Sequence, residues 1–178
     1  MTYSKHISTN LGMLYIRQAT ASDIDNIQAI LINISDWLSE QNTNQWILGG
    51  HDRDRMYVEQ IIKRGTGYVV EKNDQVIAIV QLSPPLPFYW DTVTDKAENF
   101  GYVATLSVHR SFAKNGIGEA LLNWSEQVMK ADGKTVAYLD CYGGNTKLCT
   151  YYESKNYRLI HKVKSYTDYY SHLYQKTL

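Results

Sequence analysis

A glycine-containing turn between a strand-like run and a helix-like run constrains this fold more than any other segment. The run from Tyr102 to Val108 is typical of a strand, and the turn itself reads Ala-Lys-Asn-Gly-Ile-Gly over residues 113–118. Apolar residues at helical spacing follow, at Ile117, Leu121, Trp124 and Val128. Backbone N–H groups at a helix N-terminus can hold an anion, and glycines let the main chain approach it closely. The pattern therefore predicts an anion-binding turn, with a plain tight strand–helix connection as the alternative.

The surroundings of the turn disfavour two other phosphate-binding motifs. No Gly-Lys-Ser/Thr follows the glycines, so the turn is not a Walker loop. It comes late in the chain and after a predicted hairpin, rather than in a first βαβ unit, which disfavours a Rossmann fold. A nucleotide-binding domain is thus left as an alternative supported by the glycines alone.

The other periodicities predict a mixed α/β sheet with a hairpin early and another late. Thr20 and Asp23 supply a helix cap before apolar residues at helical spacing. Asn73-Asp74 predicts a hairpin turn between two β-rich runs. The predicted strands are 13–19, 68–70, 76–80, 102–108, 135–141, 157–163 and 169–174, and the predicted helices are 24–38, 52–63, 117–128 and 145–155.

Length and composition predict one cytoplasmic domain spanning residues 1–178. Eighteen Lys+Arg against eighteen Asp+Glu leave no net charge, so the chain lacks the basic excess of a nucleic-acid binder. No apolar run is long enough for a membrane span, and the first residues lack the apolar core of a signal peptide. Cys141 and Cys149 do not have zinc-ligand spacing, and the charged run 51–55 lacks the glycine and final glutamate of a calcium loop, so we expect no metal.

From Tyr102 to Tyr157 the sequence resembles the acetyl-CoA-binding core of the GCN5-related N-acetyltransferases, the GNAT family. That family has a strand ending in Leu-x-Val, a loop Gln/Arg-x-x-Gly-x-Gly/Ala and a helix with paired leucines. These correspond to Leu106-Ser-Val108, residues 113–118 and Leu121-Leu122. A later family segment, Asn-x-x-Ala-x-x-Phe-Tyr-Glu-Lys-x-Gly-Phe, corresponds to residues 145–157.

Two positions depart from the family pattern. Ala113 stands where the family usually has Gln or Arg, which removes a side-chain contact to the cofactor but leaves the backbone donors. Asn156 stands in place of glycine, a mild change because Asn tolerates a left-handed conformation.

The resemblance implies a single mixed, mostly antiparallel sheet of six to seven strands, splayed at its central strands and flanked by about four helices. It implies an N-acetyltransferase that uses acetyl-CoA as cosubstrate and no metal. The acetyl group would pass directly to a primary amine, of a small molecule or a peptide, in a ternary complex. A non-catalytic acyl-CoA-binding or interaction module on the same fold is the alternative function.

The resemblance also implies roles for individual residues. Tyr152 would protonate the departing CoA sulfur, and its neighbour Tyr151 would belong to the core. The side chain of Asn145 would contact the pantetheine arm. The open edge of the strand would pair with the same arm through Leu106, Ser107 and Val108. The pyrophosphate would lie against the backbone of Lys114, Asn115, Gly116, Ile117, Gly118, Glu119 and Ala120.

The acceptor site and the general base are less well defined. Fifteen Tyr against three Phe suggest phenols that line a cleft or lie half-buried on strands. The resemblance implies an acceptor pocket that would include Trp37, Trp46, Tyr89 and Trp90, with core packing or a dimer contact as the alternative. No base is assigned, and Asp140 is taken as structural; other candidates are Glu71, Asp91, Glu98 and His109.

The sequence leaves the oligomeric state open, with a homodimer as one alternative. Its candidate surface is the late hairpin, which carries Tyr166, Tyr169, Tyr170 and Tyr174.

Overall fold

The computed structural model describes residues 4–41, 43, 45, 55–166 and 169–178, and these form one sheet of eight strands. The strands lie in the order β1-β2-β3-β4-β5-β6-β8-β7, and every neighbouring pair is antiparallel except β5 and β6. Their bounds are β1 His6–Thr9, β2 Gly12–Gln18, β3 Gly67–Lys72, β4 Gln75–Leu82, β5 Phe100–Val108, β6 Val136–Tyr142, β7 Arg158–Tyr166 and β8 Tyr169–Thr177.

Helices cover both faces of the sheet. The described α-helices are α1 Ile24–Glu40, α2 Arg55–Arg64, α3 Ile117–Ala131 and α4 Thr146–Ser154. One face packs against α1, α2 and a short 3₁₀ helix, Phe88–Thr92, and we call it the α1/α2 face. The other packs against α3 and α4, and we call it the α3/α4 face. Successive strand residues alternate between the two, as pleating requires: Val69 belongs to the first and Val70 to the second.

The predicted fold class is confirmed, with one strand more than the six to seven expected. The additional strand is β1, which pairs with β2 through a turn that ends at Gly12. It was missed because Ile7 is its only aliphatic residue, so no apolar alternation marks it. The hairpin at Asn73-Asp74 is confirmed, since both residues have the positive φ that its turn requires, 50° and 61°.

The predicted second helix is present, and its predicted start falls on residues that the structure does not describe. It was expected over residues 52–63, and the structure has α2 at Arg55–Arg64, with residues 52–54 outside the described residues. No helix within the described ranges is long and apolar enough to cross a membrane.

At the middle of the sheet, strand β5 separates from β6 and its pairing with β4 is irregular. It pairs with β6 only over Phe100–Tyr102, after which β6 continues alongside β8. On its other side, Ile79 of β4 pairs with Ser107 of β5, and Gln81 pairs with Ala104. One residue of β4 therefore lies opposite two residues of β5 between these pairs. The additional residue is a β-bulge, and Thr105 within it has a φ of 51°. The splayed centre of the sheet is therefore present, and it leaves a gap between β5 and β6.

Candidate active site

A cavity of about 460 Å³ occupies the gap between β5 and β6 and is lined from both faces of the sheet. Asp140 and Tyr89 reach it from the α1/α2 face, whereas Tyr152 and Leu148 reach it from the α3/α4 face. Its wall in the described part of the chain includes the tyrosines 57, 89, 102, 142, 151, 152 and 169. The tyrosine excess of the sequence is thus concentrated in part around a single cavity.

The open edge of β5 presents two of the three predicted strand residues. The amide of His109 donates to the carbonyl oxygen of Ile77 in β4, so the backbone groups of residues 107 and 109 face β4. Because alternate residues of a strand face opposite neighbours, Leu106 and Val108 direct their peptide groups into the gap. The prediction is wrong for Ser107, whose backbone is turned to β4 and whose side chain is buried.

The glycine turn places the backbone N–H groups of the first turn of α3 beside the open edge of β5. Gly116 caps α3 with a φ of 75°, a conformation that suits glycine. The first helical amides, those of Ile117, Gly118 and Glu119, have no carbonyl partner within the helix. The prediction is wrong for the amide of Ala120, which already donates to the carbonyl oxygen of Gly116 at 2.9 Å.

The two residues before Gly116 shape the turn rather than extend side chains from it. Lys114 has a φ of 64° and is exposed. Asn115 folds its side-chain amide back onto the carbonyl oxygens of Phe112 and Ala113, at 3.2 and 3.1 Å. Its own carbonyl oxygen accepts a hydrogen bond from the amide of Asn10 at 3.0 Å, so the β1–β2 turn supports this loop.

Tyr152 is buried on α4 with its ring against Tyr157 and Tyr174, and it lines the cavity. Its hydroxyl has no hydrogen-bond partner among the residues that the structure describes. Burial, with a smaller contribution from Cys141, raises the pKa of this phenol well above its ordinary value, so it carries its proton at neutral pH. Tyr151 is half-buried and packs against the core on the α3/α4 face, as predicted, and it also lines the cavity.

Asp140 is the functional candidate whose role sequence reasoning missed. It lies in the part of β6 that pairs with β8 but no longer with β5, and its carboxylate accepts from three neutral donors. The hydroxyl of Tyr102 donates at 2.6 Å and the indole N–H of Trp90 at 2.8 Å, both to Oδ2, while the hydroxyl of Tyr89 donates to Oδ1 at 3.1 Å. Burial raises the pKa of Asp140 above its ordinary value, against the lowering effect of these hydrogen bonds.

The four residues predicted to form the pocket for the amine acceptor do not all lie at the cavity. Tyr89 lines the cavity. Trp90 is fully buried and contacts Asp140 instead of lining the cavity, so it positions the carboxylate. The prediction is wrong for Trp37, which stacks on the guanidinium of Arg110, 3.7 Å from its ring centre, outside the cavity lining. Trp46 lies outside the described residues.

Asn145 caps α4 in place of the predicted pantetheine contact. Its side-chain oxygen accepts from the amide of Leu148 at 3.1 Å, and its side-chain nitrogen donates to Gln45 at 2.7 Å. Both polar atoms are therefore occupied within the chain. Gln45, rather than Asn145, lines the cavity.

The four base candidates suggested by sequence proximity do not belong to the described cavity wall. Glu71 forms an ion pair with Arg17, and His109 accepts the amide of Ser111 through Nδ1 at 3.3 Å. Asp91 and Glu98 likewise lie outside the lining. Among the described lining residues, Asp140 is the only carboxylate.

The two cysteines meet a histidine that their sequence neighbourhood does not contain. The sulfur atoms of Cys141 and Cys149 are 3.8 Å apart, and Cys149 Sγ lies 3.6 Å from His172 Nδ1. Burial raises the pKa of the Cys141 thiol well above its ordinary value, which disfavours the thiolate form that an acyl-cysteine intermediate needs.

Only part of the late hairpin, the surface predicted for a dimer, is exposed. Tyr174 is fully buried inside the chain, so it does not contribute to such a surface. Tyr170 is exposed on the same strand.

Comparisons with known proteins identify relatives of the whole described fold. Residues 31–157 match the family model described as the acetyltransferase (GNAT) family. The chain is 30% identical over 151 residues to the uncharacterized N-acetyltransferase YesJ of Bacillus subtilis, and the match covers 82% of each chain.

Solved structures share the architecture at lower identity. A GNAT-family acetyltransferase from Listeria monocytogenes has a TM-score of 0.79 at 22% identity, over 97% of this chain and 99% of the other. The PaiA N-acetyltransferase of Thermoplasma acidophilum, solved in complex with coenzyme A, has a TM-score of 0.73 at 14% identity, over 93% of this chain and 99% of the other. At these identities the likeness supports the fold alone.

Proposed function

The chain belongs to the GNAT family of acetyltransferases and is an acyltransferase, and on that premise we propose that it moves an acetyl group from acetyl-CoA directly to a primary amine in a ternary complex. The observation that carries the proposal is the cavity in the gap between β5 and β6, which is lined from both faces of one sheet. Two reactants can enter such a cavity from opposite sides and meet at its centre. The proposal covers a single N-acetyltransferase domain.

The residues around the gap fit acetyl-CoA. The free amides of Ile117, Gly118 and Glu119 lie at the positive end of the α3 dipole, which suits a pyrophosphate. The peptide groups of Leu106 and Val108 lack a strand partner on the gap side, so they can pair with the amides of a pantetheine arm as a peptide pairs with a sheet edge. Gly118 lines the cavity, and a Cβ there would be in ordinary contact with the side chains of Leu106 and Val108 on the same edge of β5.

Two groups of the chain would assist the chemistry. When bound, acetyl-CoA supplies a thioester from which the acetyl group is transferred and CoA leaves as a thiolate. A backbone N–H of the open β5 edge would hold the negative charge that develops on the carbonyl oxygen. Tyr152, whose phenol is protonated and has no competing hydrogen bond among the described residues, would donate its proton to the sulfur.

Direct transfer is favoured over an acyl-enzyme because the available nucleophile is poorly activated. Cys141 lines the cavity, but the burial that raises its pKa keeps the thiol neutral. Cys149 is the thiol nearer to His172, and it is buried and outside the described lining.

The experiment that tests this function measures release of the CoA thiol from acetyl-CoA in the presence of a panel of amines. We expect amine-dependent thiol release together with the acetylated amine, identified by its mass increase. Acetyl-CoA that raises the melting temperature without thiol release from any amine would indicate a binding module and overturn the proposal.

A further inference from the structure

We propose that Asp140 binds the ammonium group of the acceptor and removes its proton, and that the acceptor is a small primary monoamine with an apolar or aromatic body. This inference rests on the proposed acetyl transfer and specifies the acceptor side of the same site.

The place of Asp140 sets the direction from which an acceptor arrives. Asp140 and Tyr102 lie on the α1/α2 face, whereas Tyr152 and the α3 turn lie on the α3/α4 face. If the cofactor is held by the α3 turn, its thioester approaches from the second face. The carboxylate then lies across the gap, on the side that remains open to an amine.

The neighbours of Asp140 leave its charge uncompensated. All three of its hydrogen-bond donors are neutral, and no described Lys, Arg or His forms an ion pair with it. Burying a carboxylate without a cation is costly, so such groups are normally paired. A carboxylate has about four acceptor sites. Oδ2 uses two of them and Oδ1 uses one, so Oδ1 retains capacity for an N–H of an ammonium group.

The cavity wall selects the rest of the acceptor molecule. Its described lining includes seven tyrosines together with Pro84, Pro85 and Pro87, and two of these tyrosines, Tyr89 and Tyr102, contact Asp140 directly. Aromatic faces attract an ammonium group and pack against an apolar body. The one cationic side chain in the described lining is Arg64, which is exposed and would repel a second ammonium group at the rim. A cavity of about 460 Å³ that must also admit the acyl end of the cofactor leaves room for a small molecule.

Each proton that moves in the proposed acetyl transfer has a donor and an acceptor. Asp140 takes one proton from the ammonium, which frees the nitrogen lone pair. The nitrogen attacks the thioester carbonyl carbon, the new C–N bond forms, and the C–S bond breaks with its electrons on sulfur. Tyr152 gives its proton to sulfur and is restored by the second proton of the nitrogen. Asp140 releases its proton to water, so one ammonium and one thioester yield one amide, one thiol and one proton.

Burial that raises the pKa of Asp140 makes this carboxylate a stronger base than an ordinary aspartate, which suits the role. Among the described residues, the hydroxyls of Tyr89 and Tyr102 and the indole of Trp90 donate hydrogen bonds to it. Tyr57 of α2, Tyr152 of α4 and the neighbouring Cys141 also interact with its charge, and none of these six groups is a carboxylate or a cation. A purely structural Asp140 would instead act only to tie the 3₁₀ helix and β5 to β6.

The test uses the full chain and compares Asp140→Asn with the wild type. The substitution keeps the shape, and its amide oxygen can still accept from Trp90 and Tyr102 while the hydroxyl of Tyr89 turns to accept from the amide nitrogen. The acceptors are phenethylamine as the monoamine, putrescine as a diamine, and a lysine-containing peptide. Each is assayed by CoA release between pH 6 and 10, alongside the rise in melting temperature on adding acetyl-CoA.

We expect phenethylamine to be the best of the three acceptors. We expect Asp140→Asn to lower kcat/KM for it by roughly 100-fold or more, while the melting-temperature rise with acetyl-CoA is unchanged. An Asp140→Asn enzyme with wild-type kcat/KM at every pH, or a clear preference for putrescine or the peptide, overturns the inference while acetyl transfer itself stands. If no amine releases CoA from the wild type, the proposed function fails and this inference fails with it.

A second variant decides the question if Asp140→Asn does not fold. Tyr89→Phe removes a single hydrogen bond that lowers the pKa of Asp140, so the acidic limb of the kcat/KM profile should move to higher pH. A structural role for Asp140 predicts no movement of that limb, and an unmoved limb overturns the inference.

Discussion

Asp140 and Tyr152 line the same cavity from opposite faces of one sheet. This relationship exists because β5 pairs with β6 over only three residues and then separates from it. In a fully paired sheet the two side chains would be isolated from each other by the backbone of two strands. The splay converts the sheet into a passage with a carboxylate on one side and a protonated phenol on the other.

Replacing Tyr152 by Phe removes the proposed proton donor and leaves the ring packing against Tyr157 and Tyr174 in place. We expect kcat to fall by roughly 100-fold or more, with little change in the affinity for acetyl-CoA. Steady-state kinetics and acetyl-CoA titration by calorimetry measure the two quantities. Tyr170→Phe is the matched control, because Tyr170 is exposed on β8 and should keep wild-type kinetics. Unchanged kcat in Tyr152→Phe would remove Tyr152 from the reaction.

The bulge in β5 is held by a small polar network. Buried Gln81 donates from Nε2 to the hydroxyl oxygens of Tyr57 and Thr105, at 2.9 and 2.7 Å, and accepts from Thr66 at 3.1 Å. Because Thr105 is β-branched and has a positive φ, its conformation depends on such support.

Substituting Leu for Gln81 should therefore affect both stability and cofactor binding. We expect the free energy of unfolding to fall by about 1–3 kcal/mol. We also expect weaker acetyl-CoA binding, since the open edge of β5 loses its fixed geometry. Chemical denaturation and calorimetry measure the two effects. Gln75→Leu, at an exposed position of the same strand, should change neither. If Gln81→Leu weakens folding but binds acetyl-CoA normally, the bulge does not depend on this network.

The first helix is anchored by an ion pair whose stabilising effect depends on pH. Asp23 is buried and accepts from Arg17 at 2.7 and 2.8 Å, and also from the amide of Thr20 at 2.7 Å. The hydrogen bond from Arg17 lowers the pKa of Asp23 below its ordinary value. A lowered folded-state pKa means that the contribution to stability is present above the unfolded pKa, which is near 4, and is lost as the pH falls through the folded value.

Asp23→Asn should accordingly lower the free energy of unfolding by about 2 kcal/mol at pH 7. The difference from the wild type should shrink progressively below about pH 4. Urea unfolding at a series of pH values provides the measurement. Asp25→Asn is the control, because Asp25 lies two residues further along the chain and is exposed in a surface pair with Arg55. It should have little effect at any pH. A difference that persists undiminished at pH 2 would show that Asp23 acts through packing and not through its charge.

Ala113 offers a substitution that should improve the site. It stands where the family usually has Gln or Arg, and its backbone angles, φ −64° and ψ 158°, are open to any residue. Ala113→Arg should tighten acetyl-CoA binding by roughly tenfold through a charged hydrogen bond to phosphate, with kcat unchanged. Ala113→Leu controls for side-chain size and should not tighten binding. Equal affinities in all three proteins would mean that the backbone donors alone determine cofactor binding.

Features encoded within a few residues could be predicted from the sequence. The Asn73-Asp74 hairpin and the Thr20–Asp23 cap depend on local backbone preferences, and the glycine turn before α3 on local conformation and family motif. Each is visible in a short window of sequence. The same holds for Tyr152, whose position follows from a contiguous family motif.

Features that depend on distant pairing were not predictable in this way. Asp140 gains its environment from Tyr89, Trp90 and Tyr102, which are 38 to 51 residues away in the chain. In the sequence alone it is a single carboxylate in a strand, and a structural role is the natural interpretation. The hydrogen bond of Asn145 to Gln45 was missed for a related reason, since the two residues are 100 positions apart in the chain.

The central claim is that the acetyl group passes directly between two reactants that meet in the gap between β5 and β6. Initial-rate kinetics with both acetyl-CoA and amine concentrations varied test it most directly. The account predicts double-reciprocal lines that intersect, as a ternary complex requires, and no acetylated protein after incubation with acetyl-CoA alone. Parallel lines together with an acetyl group on Cys141 or Cys149 would contradict it.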